Sequence, residues 1–170
     1  MKKFAAICTM FLATAFMTQA QEAKKEAPKS PAATAKNKIA EVSYSQPSKK
    51  GRVIFGELVP YGEVWRTGAN MSTDITFNTD VVFGGKEVKK GTYAIFTIPQ
   101  QNEWTVILNS QAKQRGSSEY EANKSKNVVE VKAPVQKNAG VQETFLISFE
   151  KDNLAFTWDE VKVLVPVKKK

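Results

Sequence analysis

From Ile39 onward, apolar and polar residues alternate with a period of two, the mark of strands that bury one face and wet the other. The runs at 42–44, 52–55, 75–77, 81–83, 93–98, 104–108, 128–131, 144–149, 154–158 and 161–165 each predict a strand. Turn residues separate them: Gly84-Gly85, Gly91, Pro99, 138–140 and Asp152-Asn153. Helical periodicity is confined to a turn or two within 117–126, so the pattern predicts an all-β chain, an antiparallel β-sandwich or jelly roll of about ten short strands. Pro166 cannot donate to a ladder, so the last strand is expected to end there or to lie at an edge.

The segment before Ile39 differs. Residues 21–38, rich in Lys, Ala and Pro, hold no aromatic and no large aliphatic side chain, which predicts a disordered linker ahead of a domain at 39–170. Residues 1–20 read as a cleaved signal peptide: Lys2 and Lys3, an apolar run at 4–17 too short to cross a bilayer comfortably, then small residues at Thr18 and Ala20. Cys8, the sole cysteine, lies in the middle of that run rather than at its end, which argues against a lipid anchor. The mature chain is thus expected to be secreted or periplasmic, without a thiol and without a transmembrane segment.

Composition narrows the chemistry. With no histidine and with Cys8 inside the signal, His-dependent triads, cysteine nucleophiles and His/Cys zinc sites are excluded. The net charge of +8 is uneven: residues 39–161 carry fourteen basic and fifteen acidic side chains, so the excess reads as lysine-rich tails around a near-neutral domain. Nucleic acid is accordingly not an expected partner.

Two stretches stand out. In 81–98, Tyr93 follows Gly91-Thr92 into an apolar strand, and its hydroxyl is expected to bond to backbone across a corner. In 59–70, VPYGEVWRTGAN, a connection between strands carries Tyr61, Trp65, Arg66 and Asn70. An indole or phenol face stacks on a sugar or planar ligand, and a guanidinium with an amide supplies directional bonds, so these four are the candidate ligand-binding residues. The same groups also suit a structural role, with Trp65 capping the sandwich and Arg66 pairing with Glu63 or Glu57.

Tyr44-Ser45-Gln46-Pro47, Phe55-Gly56, Leu58 through Asn70, Gly84-Gly85-Lys86, Gly91-Thr92-Tyr93 and Trp104-Thr105-Val106-Ile107 together resemble the bacterial secreted family known as domain of unknown function 2911. The resemblance runs from about Ile39 to the end of the chain, and Val-Trp-Arg-Thr-Gly-Ala-Asn is its most specific string. It implies a small secreted β-rich domain and brings no activity, cofactor or catalytic residue. The family usually carries Arg where this chain has Gln46, and an acidic residue where it has Met71.

Three functions are compatible with these residues: a binding or interaction module for an envelope glycan, peptide or small molecule; a carboxylate-dependent hydrolase of an envelope or extracellular glycan using Glu57, Glu63 or Asp74; and a structural envelope protein. No cofactor and no metal is expected, since Asp74, Asn78 and Asp80 match no calcium loop and Gly84-Gly85-Lys86 lacks phosphate-loop spacing. The export reading makes a direct prediction. Amino-terminal sequencing of exported protein should begin at Gln21, and a start at Met1 or a lipid-modified cysteine would overturn it.

Overall fold

The alternation becomes nine antiparallel strands in the computed structural model of the protein, which describes residues 30–170. The strands are β1 (Ala32–Lys36), β2 (Ala40–Ser45), β3 (Thr73–Phe77), β4 (Val81–Phe83), β5 (Lys86–Val88), β6 (Gly91–Ile98), β7 (Glu103–Asn109), β8 (Asn127–Glu150) and β9 (Asn153–Lys169). The expected signal peptide, 1–20, and the first part of the expected linker lie outside the described residues. The remainder of that linker is a correction. Residues 32–36 form β1, which pairs with β2 from Ala32↔Ser45 to Lys36↔Glu41. Composition misled here because an edge strand is held largely by its main-chain ladder; Ala33 and Ala35 are small, yet both pack against the core.

Hydrogen bonding connects the strands in the order β1-β2-β3-β6-β7-β8-β9-β4-β5. The sheet folds over on itself, because β8 and β9 are too long to stay in one layer. β8 pairs with β7 at its start (Val106↔Val131) and with β9 over the rest (Ile147↔Phe156), and irregular register between Lys137 and Leu146 lets it bend. Aromatic pairs then meet across the core from opposite layers: Tyr44 of β2 with Phe145 of β8 at 6.0 Å, Phe77 of β3 with Phe83 of β4 at 6.2 Å, and Trp104 of β7 with Phe156 of β9 at 6.4 Å. Such edge and tilted contacts add to the burial of large apolar area that holds a thiol-free domain together.

Two pairs of expected short strands are thereby merged. The runs at 128–131 and 144–149 are one strand, with the expected turn at 138–140 absorbed as an exposed irregularity, and those at 154–158 and 161–165 are both β9, kinked at Asp159, which has φ 55°. β9 also runs past Pro166, because its end pairs with β4 (Phe83↔Val167) and the Pro166 carbonyl accepts the Gly84 amide. The run at 52–55 is no strand. Buried Ile54 plugs the underside of a loop whose own turns take up its backbone groups, as in Val59 N–H to the Ile54 carbonyl.

The apolar run 93–98 is buried on both faces. Ala94 and Phe96, on the outer face, are covered with Ile107 by Tyr120 of the short helix α1 (Tyr120–Asn123), which sits within the helical turns expected at 117–126. Tyr93 behaves as the sequence implies: its hydroxyl donates to the Lys89 carbonyl at 3.0 Å. The carboxy-terminal lysines are not a free tail, since Lys168 and Lys170 lie at the end of β9 against Asp152 and Glu87.

The β4–β5 hairpin closes through Gly84 and Gly85, with φ of 54° and 85°, the twist that two-residue hairpins require. A Cβ on Gly84 would come within 2.7 Å of Val131, whereas one on Gly85 meets nothing within 4 Å. Both Ala variants carry the left-handed strain, and only Gly84→Ala adds the collision, so it should lose about 1–3 kcal/mol more stability than Gly85→Ala. Equal losses in denaturant titration would show that the collision is relieved at no cost.

Candidate functional site

Residues 46–72 join β2 to β3 without regular secondary structure, and Trp65 fastens them to the sandwich. Its amide donates to the Thr97 carbonyl at 2.8 Å and its carbonyl accepts from Thr97 at 2.9 Å, so the loop borrows a rung from β6. The indole lies nearly parallel to Trp158, with centroids 5.8 Å apart at 20°, and meets Phe145 at 4.9 Å and Trp104 at 6.1 Å edge-on. Its Nε1–H donates to the Gly68 carbonyl at 3.1 Å, closing a tight turn.

That turn is strained and well supported. Thr67 is fully buried at φ 56°, unusual for a β-branched residue, with its hydroxyl 3.2 Å from that of Thr97 and its carbonyl accepting the Thr73 hydroxyl at 2.6 Å. Gly68 leaves no room for a side chain, since a Cβ would approach the Ser45 carbonyl and Thr73 Oγ1 to 3.0 Å. Arg66 pairs with neither Glu63 nor Glu57; its Nη1 donates to the Asn70 carbonyl at 2.9 Å, with the guanidinium against Gly116. Asn70, at φ 61°, donates through Nδ2 to the Ser30 carbonyl at 3.3 Å and to Ser45 Oγ at 3.1 Å.

Beside this turn opens a cleft of about 650 Å³. Its walls are Ser30 and Pro31 at the start of β1, Gln46 to Ser48, Lys50, Arg52, Leu58 and Val59, the turn Trp65, Arg66, Gly68 and Ala69, and Trp158. Trp65 and Arg66 thus reach the cleft, and Asn70 stands behind it as a brace. Tyr61 is separate. It lines a shallower groove of about 420 Å³ with Gln100, Gln101, Asn102 and Glu103.

Charge distinguishes the cleft. Lys50, Arg52 and Arg66 line it, and no Asp or Glu does. Seven lysines, Lys49 with Asp159 among them, form ion pairs; these three cations, like ten others among the described residues, pair with no carboxylate, and it is their shared cleft that sets them apart. Arg52 donates instead to the neutral carbonyls of Lys49 (2.9 Å) and Ser48, which fixes its guanidinium without neutralising it. The nearby Glu143 is occupied by backbone, accepting the Lys50 amide at 2.7 Å. Lys50, Arg52 and Trp158 were not singled out from sequence, and Gln46 stood out only as a departure from the family pattern; the cluster Lys49-Lys50-Gly51-Arg52 was the available signal, and nothing linked Trp158 to residues a hundred positions earlier.

None of the three carboxylates named from sequence lines the cleft. Glu57 and Glu63 are exposed, while Asp74 lines a third groove and accepts from Ser72 Oγ (3.0 Å) and the Lys113 amide (3.0 Å). Burial of the Asp74 carboxyl pushes its pKa above the ordinary value, more than those hydrogen bonds pull it down. Asp80 is held instead by Lys89 and the Lys90 amide. Among the described residues, no helix is long and apolar enough to cross a membrane.

Residues 27–167 match the family described as "Protein of unknown function (DUF2911)". The chain belongs to this family. No curated protein and no solved structure matches it. For a DUF2911 domain, the geometry above makes Trp65 the pin of the cleft wall, so Trp65→Ala should cost about 3–5 kcal/mol and lower the melting temperature by on the order of 10 °C. A melt within a degree or two of the parent would show that the indole does not hold the loop.

Proposed function

We propose that this DUF2911 protein is an exported binding module whose cleft takes an anionic ligand with a flat or ring-shaped body. The observation that carries the reading is the set of three cations, Lys50, Arg52 and Arg66, around a cleft floored by Trp65 and Trp158 and lined by no carboxylate. Charges left uncompensated beside apolar rings raise the local potential for an anion, and the indole edges favour a planar or ring partner. The hydrolase reading has less support, because Glu57, Glu63 and Asp74 do not line the cleft and Asp74 is engaged by Ser72 and Lys113. Export rests on the amino-terminal pattern alone.

Benzoate, planar and anionic, and benzyl alcohol, its neutral counterpart, separate charge from shape. In amide-resolved NMR titrations, benzoate should shift the resonances of Lys50, Arg52 and the 66–69 turn saturably, while benzyl alcohol should not. Arg52→Gln should weaken benzoate by about fivefold, the loss of one charge-assisted contact, and added salt should weaken it further. Gln46→Lys, which adds a cation to the wall, should strengthen it. Equal responses to both probes, or none to benzoate, would overturn the reading.

A further inference from the structure

We infer that the ligand of the cleft is an acidic oligosaccharide, and that Tyr61 with its amide-lined groove is the subsite for the sugar next to the one bearing the charge. This rests on the anion-binding reading of the cleft and adds a second site to it. The groove beside Tyr61 differs in chemistry from the cleft. Gln100, Gln101 and Asn102 are exposed, and none of their side-chain amides is hydrogen-bonded to another described residue; Tyr61 is 37% exposed, and Glu103, which also lines the groove, has its carboxylate paired with Lys132 at 3.5 Å. Each amide both donates and accepts, which matches a sugar hydroxyl, and an aromatic face covers the C–H face of a pyranose ring.

The Tyr61 ring is held where such a platform is needed. It lies over Gly56, where a Cβ would stand 3.1 Å from the ring, so one side of the phenol is backed by protein. The Gly62 amide donates to the Pro99 carbonyl at 2.9 Å, which ties this corner to the end of β6 beside the three amides. Val59 belongs to the cleft wall and Tyr61 to the groove, so their Cα atoms are at most about 7.6 Å apart. The two openings thus border one short stretch of loop, which is the placement a short oligosaccharide spanning both requires. An acidic peptide fits less well: peptide recognition draws on free backbone donors and acceptors, and here the Gly62 amide and both backbone groups of Trp65 are already bound to 97–99.

The test compares galacturonic acid with its linear tetramer, alongside maltotetraose and tetraglutamate, by titration calorimetry. The tetramer should bind more tightly than the monomer, and both more tightly than maltotetraose. Tyr61→Ala should abolish the chain-length gain, an effect of about threefold to tenfold, while leaving the monomer's affinity unchanged. Tyr61→Phe should keep the gain, because stacking does not use the hydroxyl, and thermal melts of both variants should stay near the parent's. A monomer that binds with no chain-length gain, or a gain that survives Tyr61→Ala, overturns the subsite and leaves the anion-binding cleft intact. Failure of the monomer and of benzoate alike overturns both. Tetraglutamate binding as tightly as the galacturonate tetramer, with the same dependence on Tyr61, would make the ligand a peptide and refute the sugar assignment.

Discussion

The stack of Trp65 on Trp158 is the contact on which the rest of the cleft depends. The connection from Ser45 to Thr73 is longer than the roughly 15 residues that compact domains ordinarily leave without regular structure, and ordering each residue costs about 1–2 kcal/mol of backbone entropy. Only a few groups repay that cost by burial: Ile54, Val59, Thr67 and the partly buried Phe55 and Trp65. Of these, Phe55 and Trp65 both join the aromatic cluster with Trp104, Phe145 and Trp158, which draws on β7, β8 and β9, and Trp65 adds a backbone rung to β6. The loop is therefore fixed to both layers of the sandwich chiefly through these two rings.

A rigid anchor also explains how strain persists beside it. Thr67 and Asn70 occupy the left-handed region, and such conformations survive where the surroundings determine them from several directions. Here the Thr97 hydroxyl, the Thr73 hydroxyl, the Trp65 indole N–H and the Arg66 guanidinium each bind a group of the 67–70 turn. The consequence is that Arg66 and the indole meet the cleft in one fixed arrangement, so little ordering remains to oppose a ligand.

Strand positions were legible because a period of two and glycine turns are local signals; 81–83, Gly84-Gly85 and the Tyr93 corner needed no information from elsewhere. Strand continuity was not. Whether 128–131 and 144–149 are one strand or two depends on what pairs with them, and β8 changes partner from β7 to β9 midway. β1 was missed for a related reason: its ladder to β2 is invisible to a count of large side chains. At the site, the unusual loop drew attention to Trp65 and Arg66, but chain proximity joined Tyr61 to them although a turn sends it to another groove. The cations at 50 and 52 looked like ordinary surface charge, and their lack of carboxylate partners is a property of three-dimensional arrangement.

That arrangement is hard to explain by folding alone. Arg52 braces the loop by donating to the Ser48 and Lys49 carbonyls, a task that a neutral donor would also perform, and nothing in the loop requires Lys50 to be charged. Lys49, just before them, shows what the fold does when it needs a cation for structure: it pairs with Asp159, at the kink of β9, and both side chains are largely covered. Lys50 and Arg52 follow Lys49 in the chain and remain without a carboxylate partner, lining the same cleft as two indoles that lower the local dielectric. What sets Lys50, Arg52 and Arg66 apart from other unpaired cations, such as Lys86 and Lys137, is that they share one cleft with two indoles and no carboxylate.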